Sequence, residues 1–227
     1  MLIAARNAFT TGGWVNPYVT DGLIAMWDGE WNAGGGVHDA AATTWKDLVG
    51  SNDISLFNAV INSSDVYFSY ESYGTGTPPY PYGTIELILN KSEYGGGALD
   101  CSVITIGNMY SGWGICCLRT GLADTADIAS GPLVPITTKV FQYVAFMKNQ
   151  NATTANVALN GIVIESPQTT SAGSRYNGTL GYFINSGVGS SRASTFSIAR
   201  ISIYSKVLTA AEIAANYAVD KMRFNLP

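Results

Sequence analysis

The 227-residue chain carries a formal net charge of −4, with 12% charged and 47% hydrophobic residues and no cluster of Lys or Arg. Nucleic-acid binding needs a basic footprint to neutralise phosphate, so that class is excluded. No apolar run approaches the roughly 20 residues that span a bilayer as a helix, and the length suits one large β-sandwich with a sizeable core.

In chain order, residues 1–17 are read as an N-terminal arm and 18–227 as one domain. Met1–Phe9 lacks the basic n-region and sustained apolar stretch of a Sec signal peptide. Short apolar or alternating runs predict strands at 23–27, 54–61, 66–70, 84–89, 98–106, 112–118, 138–148, 156–159, 162–165, 178–184 and 196–204. Asn160-Gly161 marks a tight hairpin, and the glycines at 95–97 and Asn185-Ser-Gly187 mark looser turns. The segment 31–40 is glycine-rich and nearly uncharged, whereas 70–82 holds Tyr70, Tyr73, Tyr80 and Tyr82 among three prolines that stiffen it. The run Phe196-Ser-Ile-Ala-Arg-Ile-Ser-Ile-Tyr204 is read as a strand with one buried face. After it, Thr209 is placed as an N-cap, with Glu212 completing a capping box and Leu208 and Ile213 forming a hydrophobic staple. Lys221 and Arg223 suit the C-terminus of that short helix. Many short strands, regular turns and one terminal helix describe an all-β fold: an antiparallel two-sheet jelly-roll sandwich with a short C-terminal α-helix.

Five segments carry a family resemblance. Arg200-Ile-Ser-Ile-Tyr-Ser-Lys-Val-Leu-Thr-Ala-Ala-Glu212 resembles the closing strand and capped helix of laminin-G-like, concanavalin A-like jelly rolls. Asp21-Gly-Leu-Ile-Ala-Met-Trp27 is similar to their first strand, and Trp45-Lys-Asp-Leu-Val-Gly-Ser-Asn-Asp53 to the turn segment that follows. Phe141-Gln-Tyr-Val-Ala and Leu159-Asn-Gly-Ile-Val163 resemble a central strand and its hairpin, although Gln142-Tyr143 stands where His is common. The resemblance spans nearly the whole chain. It implies a fold and leaves the function open.

Sugar-binding sandwiches stack the apolar face of a pyranose on aromatic rings. Trp27, Trp45 and Trp113 sit in core motifs and are read as packing. The candidate ligand contacts are Tyr73, Tyr80 and Tyr82 in the Pro-rich loop, with Trp31 and Trp14 in Gly/Asn-rich segments; pinning the loop to the sandwich is the competing role for the tyrosines. Glycosidases of this fold carry a nucleophile and an acid/base on one strand in an E-x-D-x-E pattern. The nearest match is Asp28-Gly-Glu30 at a strand end, while Glu86 and Glu165 stand alone in their strands. His38 is a lone loop histidine and no G-x-S-x-G elbow is present. The expectation is therefore a protein without catalytic residues and without a required cofactor.

Relatives of this fold bind calcium, which makes Asp28, Asp47 and Asp53 the carboxylates to examine; capping of the turn is the competing role for Asp47 and Asp53. Cys101, Cys116 and Cys117 have no metal-ligand spacing and read as buried thiols, with a Cys101–Cys116 bridge open only to an oxidising compartment.

These observations imply a recognition module binding glycan or a cell-surface or virion protein through edge loops. The family resemblance adds an expectation of a virion or bacterial-surface setting, such as a phage fibre, decoration or tail protein. The alternatives are a purely structural virion assembly element, with homo-oligomer contacts through the arm, and a glycan-active hydrolase.

Overall fold

The computed structural model describes residues 15–69, 71–76, 83–91, 101–106, 113–117, 122–125, 134–148, 154–169, 182–184 and 195–227. Along these residues run β1 (Leu23–Asp28), β2 (Thr44–Trp45), β3 (Ile54–Phe57), β4 (Val60–Ile61), β5 (Val66–Phe68), β6 (Tyr73–Gly76), β7 (Gly83–Lys91) and β8 (Cys101–Ile106). There follow β9 (Trp113–Cys117), β10 (Leu122–Thr125), β11 (Val134–Pro135), β12 (Gln142–Lys148), β13 (Thr154–Leu159), β14 (Ile162–Thr169), β15 (Tyr182–Ile184), β16 (Phe196–Tyr204) and the helix α1 (Ala210–Phe224). The strands form two antiparallel sheets. The first has the order β14-β13-β12-β7-β16-β5-β4, with β1 also pairing β16; the second has the order β11-β10-β9-β8-β15-β6-β3-β2. The all-β sandwich with its C-terminal helix is thus present.

Between the sheets lies a core that includes Trp27, Trp45, Ile54, Leu56, Phe68, Ile85, Leu87, Phe146, Phe196, Ile201 and Ile203. Trp27 and Trp45 are fully buried, and their indole N–H groups donate to the carbonyls of Asn52 (3.0 Å) and Asp28 (2.9 Å). Burying such rings without a partner for the N–H would cost much of what the burial gains.

The strand β16 shows why simple alternation understates this fold. Phe196 and Ile198 face the core, but a bulge between Ile198 and Arg200 shifts the register, so that Ile201 and Ile203 face it next. Arg200, Ser202 and Tyr204 therefore point to the opposite side, where α1 lies. Both faces of the strand are buried, which corrects the one-faced reading. A second apolar cluster fills that layer: Ile88, Tyr143, Ala145, Met147, Tyr204, Leu208, Ile213 and Leu226.

The helix is longer than one turn, with 15 residues. Its Thr209–Glu212 capping box forms, with the Thr209 N–H donating to Glu212 at 2.8 Å, and Leu208 and Ile213 are both buried in the second cluster. Asn225 closes it in the left-handed conformation, donating its N–H to the Lys221 carbonyl.

Other expectations need adjusting. The run 54–61 is two strands in different sheets, separated at Asn58, whose φ of 54° turns the chain from one sheet to the other. Residues 73–76, read as loop, form β6. Its glycines disguise it: a Cβ on Gly74 would lie 3.0 Å from Ile54 and 3.4 Å from Ile184, so the close packing of the strand leaves space for little else. The strand register sets Cys101 opposite Cys117 and Ser102 opposite Cys116, so Cys116 is not the cross-strand neighbour of Cys101. No helix among the described residues is long and apolar enough to cross a membrane.

The hairpin between β13 and β14 turns at Asn160 (φ 47°) and Gly161 (φ 78°), a pair of left-handed residues of the kind Asn-Gly supplies. Gly161 also sits under α1, where a Cβ would come within 2.4 Å of the Tyr217 ring. Gly161→Ala is expected to lower the unfolding free energy by about 1–3 kcal/mol in urea denaturation, through strain and a displaced Tyr217; an unchanged midpoint would show that the helix does not press on this turn. Glu212 is held down to about 2 by the Lys206 hydrogen bond first and then by the Thr209 N–H. Its ionised form therefore favours the folded state above the usual carboxylate range, and that contribution is lost as pH falls through about 2. The stability difference between the wild type and Glu212→Gln should accordingly be largest near neutrality and shrink on acidification.

Candidate functional site

Three groups of residues carry chemistry. The first is the acidic turn region. Asp47 is fully engaged: Oδ1 accepts from the N–H groups of Met26 and Val49 (3.0 Å each), and Oδ2 from the N–H and side-chain amide of Asn52 (3.0 and 2.9 Å). Asp53 accepts from the Asp47 N–H at 3.0 Å and pairs with Lys46 at 2.5 Å. Its carboxyl lies below the usual range because the Lys46 and Asp47 bonds outweigh a desolvation contribution that acts upward. Asp28 is fully buried, accepts from the Glu30 N–H and pairs with Arg223 at 2.7 Å. A calcium site needs about six to eight converging oxygens. These carboxylates are spent on backbone donors and cations, so they do not fit that role. Among the described residues, no group of three His, Cys, Asp or Glu is placed to hold a metal ion.

The second group lies between the first sheet and α1. Arg200, Glu86, Asp220, Ser202 and Asn216 have no exposed surface. The Arg200 guanidinium donates to Glu86 Oε2 (3.2 Å), to both oxygens of Asp220 (2.9 Å to Oδ1) and to Ser202 Oγ. Glu86 Oε1 accepts from the hydroxyl of Tyr143 (2.6 Å) and the amide of Asn216 (2.9 Å). Asn216 also donates to Tyr204 Oη (2.9 Å) and accepts from the Val19 N–H (2.9 Å). Tyr18 donates its hydroxyl proton to Asp220 (2.7 Å), receives Arg223 (2.7 Å), and lies under the Arg200 guanidinium at 4.3 Å from its ring centroid.

Burial pushes the carboxyls of Glu86 and Asp220 up, with Arg200 pulling each back. For Arg200 itself burial acts downward and is outweighed by Asp220, Tyr18 and Glu86, so the guanidinium stays charged. Raised carboxyl pKa values suit a general acid. Here, however, no substrate atom can reach them, because every group is sealed beneath the helix. The network is a clamp.

The third group is on the outside of the second sheet. The inward residues Ile54 and Leu56 leave Ser55 and Phe57 on the opposite face of β3. Phe57 is 43% exposed, and it pairs in register with Tyr73 on β6. Their rings stack at 4.5 Å between centroids and 11° between planes. The pair is braced at one end by the serine turn: Ser72 Oγ accepts from the Ser69 N–H (2.6 Å), and the Asn58 amide donates to the Glu71 carbonyl (3.4 Å). Two residues along, Thr44, Ser55 and Thr75 stand side by side across three strands.

Of the aromatic candidates, Tyr73 therefore takes part in an accessible ring pair. Trp31 does not: only 6% exposed, it lies under the Arg223 guanidinium at 4.5 Å and is unavailable for stacking a ligand, which corrects its place among the candidate contacts. Trp14, Tyr80 and Tyr82 lie outside the described residues. Phe57 escaped the sequence reading, although an aromatic on the polar phase of the Ile54-Ser-Leu-Phe57 alternation is a signal for it.

No family model matches this chain, and no curated protein sequence is similar to it. Solved structures do match its fold. A Trypanosoma rangeli sialidase in complex with sialic acid superposes with a TM-score of 0.68 at 15% identity, over 97% of this chain and 37% of that one. The same sialidase with 2,3-difluorosialic acid as covalent intermediate gives 0.70 at 14% identity, over 97% and 38%. The botulinum neurotoxin serotype D binding domain gives 0.66 at 14% identity, over 87% and 52%. The likeness is one of fold. This chain spans under two fifths of the sialidase and about half of the toxin domain.

Arg200→Met is expected to cost about 3–5 kcal/mol at neutral pH, because it strands Glu86 and Asp220 as buried, unpaired carboxylates. The sign of its pH dependence follows. Carboxyls raised above their unfolded values favour folding when protonated and oppose it as pH rises. Urea denaturation should therefore show the deficit of the variant shrinking on acidification; a deficit independent of pH would contradict this assignment.

Proposed function

We propose that this chain is a non-catalytic recognition module on a concanavalin A-like sandwich, and that it binds glycan through the outer face of the second sheet. The observation that carries the reading is the stack of exposed Phe57 on half-buried Tyr73, on a regular strand surface. Aromatic rings held rigidly by strands offer apolar contact at low entropic cost, and neighbouring hydroxyls supply directional hydrogen bonds. The shared fold of a sialidase that binds sialic acid and of a toxin binding domain supports a recognition role. The reading without catalysis is supported by three of the carboxylates: Asp28 and Glu30 pair with Arg223, and Glu86 is sealed under α1. A virion or bacterial-surface setting draws its support from the resemblance of the sequence alone.

A glycan array probed with the purified protein tests the reading, with mass photometry on the same sample. A specific hit is expected, weakened about tenfold or more by Tyr73→Ala at an unchanged fold. A silent array with a defined oligomer would overturn glycan recognition in favour of an assembly role.

A further inference from the structure

We infer that the ligand of this face is an uncharged pyranose glycan of at least disaccharide length, and that sugars bearing a carboxylate are rejected; this rests on the recognition reading above. The argument begins with the ring pair. Because Phe57 and Tyr73 stack nearly parallel, Tyr73 occupies one face of Phe57 and leaves Phe57, 43% exposed, as the outer platform. An apolar ring of C–H groups is what such a surface receives.

The hydrogen-bonding groups beside it are neutral. Thr44 is register partner to Ser55, and Ser55 to Thr75, so three hydroxyl-bearing positions cross β2, β3 and β6 in one row. At strand spacings of about 4.8 Å the row is roughly 10 Å wide, and it lies two residues, or roughly 7 Å, from the rings. That span exceeds one sugar ring and matches a ring with its neighbour. Each hydroxyl can donate or accept, as sugar hydroxyls require.

The local charge is the second argument. Lys46, two residues after Thr44, has its ammonium paired with Asp53 at 2.5 Å. Glu71, exposed and two residues before Tyr73, is tied by its carbonyl to the side chain of Asn58, which directly follows Phe57. Glu71 therefore adds a negative charge at the turn that leads into the platform, and like charges brought together disfavour binding. A sialic or uronic acid would bring a second negative charge toward Glu71, with Lys46 already paired; a neutral hexose would not.

The test is a direct binding series with paired oligosaccharides, neutral and sialylated or uronic-acid-bearing, on the wild type, Phe57→Ala and Glu71→Lys. The inference expects neutral members to bind the wild type at least about tenfold more tightly than their acidic counterparts, with Phe57→Ala abolishing the binding and Glu71→Lys narrowing the preference. Thermal unfolding of each variant excludes loss by misfolding, and Phe57→Tyr, which retains a ring, should keep the binding. Tighter binding of acidic sugars that still requires Phe57 overturns the neutral assignment and leaves glycan recognition standing. Binding indifferent to Phe57→Ala overturns this platform. No binding to any member overturns the recognition reading itself.

Discussion

One buried cation organises the helical side of this molecule. Arg200 emerges from the middle of the longest-paired strand, on the face turned away from the intersheet core, and is met there by carboxylates from β7 and α1. Taking charged groups out of water costs several kcal/mol each, and only complete pairing and hydrogen bonding recover it. The surrounding design follows from that cost. Tyr143, Tyr204, Asn216, Ser202 and Tyr18 are each placed to satisfy one of the remaining polar atoms. Because these partners come from β12, β16, α1 and the segment before β1, the cluster ties the two ends of the described chain to the centre of the first sheet. Apolar packing alone would hold the helix down; the ionic cluster specifies where it sits.

That commitment directs where a ligand can go. The central strands of the first sheet, β7, β12 and β16, bury one face against the second sheet and the other in the helix layer, so that surface is consumed. Glu86 is consumed with it. The outer face of the second sheet is different: alternate residues of β3 and β6 reach solvent there, and they include two stacked aromatic rings and a row of hydroxyls. Rigid strands hold these groups more precisely than loops do, which reduces the entropy lost when a ligand binds.

Much of the fold was legible from residues. The capping box at Thr209 and Glu212, the Asn160-Gly161 turn and the buried Trp27 and Trp45 are each local chemistry that the surroundings do not override. The clamp was not legible. Arg200 in an alternating strand reads as a solvent-facing charge, and the bulge at Ala199 that sends it under the helix has no glycine or proline to announce it. Asn216 and Asp220 recur at a spacing of four with Ile213 nearby, which hinted at a polar stripe on the buried face of the helix. β6 was hidden by its glycines; the need for one of them, Gly74, arises from the packing of Ile54 and Ile184 against it. With β6 unread, Tyr73 looked like a loop residue and its partner Phe57 had no reason to be chosen. Pairing between distant strands is tertiary information, and the site depends on it.

The most direct test of the account is to map the bound face by NMR, titrating a glycan that the protein binds into labelled protein and following amide and aromatic shifts. The account predicts perturbations concentrated on Ser55, Phe57, Tyr73 and Thr75, with the amides of Arg200, Asn216 and Asp220 unmoved. Perturbations centred on α1 and β16, with Phe57 and Tyr73 silent, would contradict it.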